Sequence, residues 1–299
     1  MTTAPPSTPP REPPRSLRGP VGIVGLGLIG GSIGLDLQAL GVEVRALVRR
    51  PATAERARQR QLATAVSDDP ALLQDCSLVV LALPLDGLLD PPPQLVQALP
   101  AAAVVTDVGS VKAPVLERWS ALHPRFVASH PMAGTEAAGV EAGVPGLFRG
   151  RPWVLTPGAA TDPEALALVW TLAELVGARP ISCPAEAHDR AAALISHLPV
   201  LVSAALLQSV DAAAAAQGGE LPDLVRALAS SGFADTSRVG GGNPQLGTLM
   251  ARGNQMALQE ALAAYRLSLE ALEHRLASSE WDALEADLSA CQRLRPEFL

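Results

Sequence analysis

Aromatic side chains are scarce: four Phe, four Trp and the single Tyr265 make up 3% of 299 residues. So few rings exclude a stacking platform for single-stranded nucleic acid. Basic charge is not in excess either. Lys and Arg number 23 against 30 Asp and Glu, a formal net charge of −7, which gives no electrostatic footprint for a nucleic-acid partner. Three cysteines, Cys76, Cys183 and Cys291, lie scattered through the chain. Their number and spacing exclude a disulfide framework and a cysteine metal site, so no metal is expected and a reducing, cytoplasmic compartment is. The N-terminus lacks an apolar signal core, and export is not expected.

What is present is apolar: 48% of residues, enough for a full core. Residues 1–19 hold six prolines and almost no large apolar side chain; they read as a disordered tail. From residue 21 the chain alternates short β-branched runs (21–24, 44–48, 78–83, 103–107) with helical stretches such as 28–40 and 51–61. Runs 126–129, 153–156 and 178–183 look like further strands. The alternation predicts an α/β fold, a Rossmann-type doubly wound parallel sheet. After residue 184 strand signals stop, and 222–230, 255–277 and 280–293 read as helices. The expected organisation is thus a dinucleotide-binding domain at 20–183 and an all-α domain at 184–299. Residues 191–210 carry no Asp, Glu, Lys or Arg. That is long enough to span a bilayer; with Ser196, His197, Pro199 and Ser203 inside it, it reads instead as a helix buried between protein surfaces, with no membrane contact.

Gly25, Gly27 and Gly30 form a GxGxxG motif between a strand and a helix opened by Leu28 and Ile29. That context points to a dinucleotide pyrophosphate on the helix N-terminus. The second strand ends in Arg49 and Arg50 with no acid at its tip, and Thr53 follows. An acid there would read the ribose hydroxyl of NAD; two arginines suit the 2′-phosphate of NADP. NADP is therefore favoured, with NAD possible and solvated arginines the bland alternative.

Three more segments fall where a ligand crevice is expected. Ser110 and Lys112 follow the strand at 103–107 and could meet ligand oxygens, unless Ser110 only caps a helix. His130, in the run from Ser129 to Glu136, sits with Thr135 at the end of another strand. His197 follows Ser196 in the uncharged helix, as a core residue or part of a buried polar site. Residues 230–244 read as a long Gly/Ser-rich loop carrying one cation, Arg238, a natural clamp for a carboxylate.

The order GLGLIGGS, TDVGSVK, SHPMAGTE, SHLP and DTSRVGGGNP resembles the prephenate/arogenate dehydrogenases of tyrosine biosynthesis, most of all the arogenate-type enzymes of cyanobacteria. The resemblance implies a nucleotide domain, a helical domain that builds a homodimer, and oxidative decarboxylation of arogenate or prephenate with a nicotinamide cofactor. It makes His130 the residue that takes the proton of the ring hydroxyl and Ser110 its support. It gives Arg238 a substrate carboxylate and places His197, Thr135, Glu136 and Gly242 at the substrate, with Asn243 in the same loop. Some prephenate-preferring members carry a second histidine three residues after the Ser-His pair; Val200 stands here, which leans towards arogenate. The competing readings are a β-hydroxyacid or imine-type dehydrogenase and a non-catalytic nucleotide sensor. Residues 184–299 contain no lysine, which opposes the lysine-based mechanism. The joint presence of Ser110, His130, His197 and Arg238 opposes a sensor.

Overall fold

The computed structural model describes residues 17, 19–135 and 137–298; the expected tail at 1–19 lies almost wholly outside them. Eight strands form one sheet: β1 (Val21–Val24), β2 (Val44–Leu47), β3 (Ala65–Ser67), β4 (Leu78–Leu81), β5 (Val104–Asp107), β6 (Phe126–Pro131), β7 (Pro152–Thr156) and β8 (Arg179–Ser182). Their order is β3-β2-β1-β4-β5-β6-β7-β8. The pairs through β6 are parallel, whereas β7 runs antiparallel to β6 and parallel to β8. The expected doubly wound sheet is there, with its last two strands reversed. β3 escaped the sequence reading because three residues carry no usable alternation.

Alternate strand residues face opposite sides of a sheet, and the core divides accordingly. Val21, Ile23, Leu78, Val80 and Val104 pack with α1 (Leu28–Ala39), α2 (Pro51–Gln59) and α6 (Pro163–Leu175). Val24, Val79, Leu81, Val105 and Phe126 pack on the other face with α3 (Leu85–Leu89), α4 (Pro93–Ala98) and α5 (Ala113–Ser120). Apolar runs covered on both faces are what parallel strands require.

After β8 only helices and short turns follow among the described residues. α7 (Ala185–Ala192) continues into α8 (Leu198–Gln217) through a wide turn, Ala193–His197, in which the Leu198 N–H reaches back five residues to the Ala193 carbonyl. Pro199, which has no N–H to donate, lies directly after this wide turn. Along α8 only Ser203 and Ala214 are buried, so the expected burial of 191–210 is not met within one chain; Leu194 and Ile195 are exposed. α9 (Leu221–Leu228) follows.

The expected loop at 230–244 is a correction. It holds α10 (Ser231–Ser237), then a tight 3₁₀ turn, Arg238–Gly241, and Asn243 caps α11 (Pro244–Gly253) by accepting the Leu246 N–H at 3.1 Å. Thr236 and Ser237 hydroxyls donate back to the Gly232 and Phe233 carbonyls. These side chains satisfy the short helix internally, which composition read as a loop signal. The described residues up to Asn254 make one compact unit, and those from Gln255 on another. The second is α12 (Gln255–Ala277) packed on α13 (Trp281–Leu294), with Arg275 bonded to Glu280 and Asp287.

The chain's one lysine, Lys112, is fully buried. Its Nζ pairs with Asp107 and donates to the Ser129 carbonyl at 2.8 Å. It is therefore internal cement and not a ligand contact, correcting that expectation. Asp107 also accepts the N–H groups of Gly109 (2.8 Å) and Ser129 (3.1 Å). Removing one partner of a buried ion pair strands the other. Lys112→Met is expected to lose about 3–5 kcal/mol of stability by urea denaturation. Adding Asp107→Asn should recover part of that loss; a single variant as stable as the parent would show that the pair holds nothing.

Candidate active site

The parallel strands β1, β2, β4, β5 and β6 all end at one edge of the sheet, the edge at which such folds bind ligands. Gly25 leaves β1 with a φ of +97°, and a side-chain carbon there would lie 2.4 Å from the Ala82 carbonyl oxygen. One at Gly30 would lie 2.1 Å from the Gly25 oxygen. Beside Gly27, by contrast, nothing lies within 4 Å. Gly27 precedes α1, whose first turn has no side-chain cap and no acidic residue. Leu28 and Ile29 begin the helix. An open glycine before uncapped helical N–H groups fits a phosphate, so the residues present suit a dinucleotide. At the end of β2, Arg49 and Arg50 are exposed and Thr53 is half-buried on α2.

β6 holds the next candidate residues. It runs on from Ser129 through His130 to Pro131, so His130 lies inside the strand, whereas the sequence reading ended the strand at Ser129. The Ser129 hydroxyl donates to the Asp107 carbonyl (2.8 Å), accepts the Trp153 indole N–H (2.9 Å) and meets the Thr106 hydroxyl (2.9 Å). His130 Nδ1 lies 2.9 Å from His188 Nε2, and His188 Nδ1 lies 2.8 Å from Asp189 Oδ1. Asp189 accepts the backbone N–H groups of Lys112 (2.7 Å, Oδ1) and Ala113 (2.8 Å, Oδ2). Helix α5 thus starts at Ala113, capped by a carboxylate from α7. Ser110 is not its cap, which corrects that alternative; it lies before the helix, half-buried.

His197 ends the wide turn between α7 and α8, fully buried. Its Nδ1 lies 3.1 Å from Asn254 Nδ2, which also donates to the Asp189 carbonyl at 2.7 Å, while its Nε2 has no partner among the described residues. Wide turns of this kind recur at functional sites. Burial, His188, Lys112 and His197, in that order, hold His130 well below the ordinary imidazole value. Burial likewise drives His197 down to about 4, only partly offset by Asp189. Both rings are neutral near pH 7.

The other expected residues stand apart from this cluster. Thr135 is exposed, its hydroxyl accepting the Ala137 N–H at 3.2 Å, and Glu136 lies outside the described residues. Arg238 and Gly242 are exposed and make no hydrogen bond to the histidines among the described residues. Their turn is seated on α8: the Ser203 hydroxyl donates to the Thr236 carbonyl at 2.6 Å, and a side-chain carbon at Gly240 would lie 2.4 Å from the Ala204 nitrogen. Ser203 is six residues along α8 from His197, about 9 Å at helical rise. The reading of the sequence missed His188, Asp189 and Asn254. An adjacent His-Asp pair at a strand-to-helix change was the available signal for the first two; Asn254 offered none.

The chain matches two family models. One, described as the prephenate dehydrogenase nucleotide-binding domain, covers residues 33–182; the other, its dimerization domain, covers 184–290. The cyclohexadienyl dehydrogenase of Zymomonas mobilis is 31% identical over 280 residues, 92% of this chain and 94% of that protein. The crystal structure of Synechocystis arogenate dehydrogenase is 41% identical, with a TM-score of 0.81, over 94% of this chain and all (100%) of that one. The prephenate dehydrogenase of A. aeolicus, crystallised with hydroxyphenyl propionate and NAD+, is 28% identical with a TM-score of 0.86, over 95% of this chain and 100% of that one.

The depressed histidines make stability depend on pH. Above about pH 6.5 neither folded nor unfolded chain protonates them. Below it the unfolded chain binds the proton first, so stability falls as pH falls, by about 1.4 kcal/mol per unit for each histidine. For His197 the decline ends near its folded value of about 4. His123, lowered by burial, adds the same sign. Urea midpoints between pH 6.5 and 5, above the carboxylate range, are expected to drop steadily; a flat profile would show that these rings are not held neutral.

Proposed function

The chain belongs to the prephenate dehydrogenase family, and on that basis we propose that it converts arogenate to tyrosine, and/or prephenate to 4-hydroxyphenylpyruvate, by oxidative decarboxylation with NADP. The observation that carries the reading is His130. It is a neutral histidine at the ligand edge of the sheet, with one ring nitrogen held by His188 and the phosphate-type glycine turn at the same edge.

In this reading Gly25, Gly27 and Gly30, with the first N–H groups of α1 at Leu28 and Ile29, hold the pyrophosphate. Arg49, Arg50 and Thr53 hold the 2′-phosphate. A nicotinamide nucleotide held by these residues would supply the acceptor for the hydride that leaves ring C4. His130 takes the C4 hydroxyl proton as that oxygen becomes carbonyl-like, which a neutral imidazole does near its working pH. The bond from C1 to its carboxylate breaks, CO2 leaves, and the electron pair left behind makes the ring aromatic. The proton returns from His130 to the phenol oxygen, so the balance closes on one hydride, one CO2 and one phenol. Ser110 supports the hydroxyl contact. Arg238 binds a substrate carboxylate, and His197, Thr135, Glu136 and Gly242 line the substrate. Val200 favours the amino side chain of arogenate over the keto acid.

We place the cofactor domain at 20–183 and the substrate and dimerisation domain at 184–299, in a cytoplasmic homodimer. The apolar side chains left exposed on α7–α9 (Leu194, Ile195, Leu224, Leu228) and, separately, on α12 and α13 (Met256, Leu267, Leu276, Trp281) support a covering partner subunit. That partner is a second copy, without membrane or nucleic acid.

Reduced-cofactor formation with arogenate, prephenate and a β-hydroxyacid tests the reading. Turnover is expected with the first, the second or both, and His130→Asn should lower it about 10²–10⁴-fold while NADP still binds. Turnover of the hydroxyacid alone, or an unimpaired variant, would overturn it. In a separate measurement, replacing Arg49 and Arg50 by alanine should raise the NADP dissociation constant far more than that of NAD. Equal losses would remove the arginines from the 2′-phosphate.

A further inference from the structure

The reaction above uses one nitrogen of His130; the other is committed to a chain of buried groups. His130 Nδ1 meets His188 Nε2 at 2.9 Å, and His188 Nδ1 meets Asp189 Oδ1 at 2.8 Å. Protons can be assigned along this chain. Asp189 already accepts N–H groups from Lys112 and Ala113, one on each oxygen, so both are acceptors. Although burial opposes it, His188 and those two N–H groups hold the Asp189 carboxyl below its ordinary range, and an ionised carboxylate accepts only. His188 must therefore carry its proton on Nδ1. A neutral His188 then presents a bare Nε2, which can only accept, so the proton between the rings belongs to His130 Nδ1. His130 Nε2 is left as a lone pair.

We infer that His188 and Asp189 are positioning residues that lock His130 in the Nδ1–H tautomer and so make its Nε2 the proton acceptor of the reaction. The inference rests on the reading of His130 as the base. Without the lock, no other group among the described residues fixes the tautomer. Lys112 is turned to Asp107 and Ser129, and His197 is occupied by Asn254 at its Nδ1. The carboxylate at the end of the chain also favours the positive charge that His130 acquires when it takes the proton, as a buried Asp does behind a catalytic histidine in hydrolytic triads.

The tautomer is read directly by nitrogen NMR of the full-length protein labelled at its five histidines. The wild type is expected to show His130 and His188 both protonated at Nδ1, with bare Nε2. His188→Phe keeps a ring of similar shape but no acceptor, and His130 should then carry its proton on Nε2. With it kcat should fall by about 10²-fold or more, with KM changed less than about threefold and NADP binding unchanged. His188→Gln restores an acceptor oxygen and should recover part of kcat and the Nδ1–H tautomer, which a role in packing alone would not produce. Asp189→Asn can keep its oxygen towards His188 while losing the charge; the Nδ1–H tautomer should persist and kcat should still fall. A wild-type His130 protonated on Nε2, or His188→Phe turning over within about threefold of the wild type, would overturn the inference. Should the wild type oxidise neither arogenate nor prephenate, the proposed reaction falls, while the NMR result still decides the lock.

Discussion

The buried pair of Asp107 and Lys112 is the interaction on which the sheet's working edge depends. Two charges removed from water cost several kcal/mol each unless every remaining donor and acceptor is matched. Here the matching partners are the Gly109 N–H and both backbone groups of Ser129. Those bonds are satisfied only when the end of β5 and the end of β6 keep their register. His130 is the next residue along β6, so its backbone is placed by the electrostatics of its neighbours. The pair also explains why the glycine after Asp107 and Val108 is fixed: a side-chain carbon at Gly109 would come within 2.7 Å of Leu88 and 3.0 Å of the Asp107 carboxylate.

A second carboxylate performs the corresponding task between sheet and helices. The first N–H groups of a helix need partners and favour negative charge. Helix α5 receives both from Asp189, 77 residues further on in the case of Lys112. Its cap thus comes from within α7, which fixes that helix against the sheet edge and brings His188 to His130. Asn254, at the end of α11, bonds to the Asp189 carbonyl and to His197. Three helical segments are thereby tied by polar bonds to the rim of the sheet.

Much of this was legible from sequence where the signal is local. Strand runs such as 78–83 and 103–107, the glycine turn at 25–30 and the helix at 255–277 each declare themselves within a window of a few residues. His130 and His197 were visible because their motifs are short and ordered. What was not legible depends on distant partners. Lys112 looked like a rim cation until Asp107 and Ser129 closed around it. Ser231–Ser237 looked like a loop because serine, glycine and aspartate favour turns, and only back-bonding side chains and the seat on α8 make it helical. The reversal of β7 has no local signature, and His188 and Asp189 acquire meaning only when α7 lies across the end of β5.

The charges in this buried cluster do not balance, and the imbalance has a sense. Lys112 is the one cation, set against two carboxylates, Asp107 and Asp189. Those three groups leave one excess negative charge. Burial disfavours a proton on any isolated ring, which is why His130 and His197 lie low. A proton arriving on the His130–His188 pair, however, brings the cluster to neutrality, and in a region of low dielectric that compensation is worth more than it would be in water. The resting site therefore excludes a permanent imidazolium while lowering the cost of a transient one. In the proposed reaction, the group that accepts a proton as a hydride departs and returns it once the ring is aromatic would need both properties, and neither histidine nor carboxylate alone supplies them.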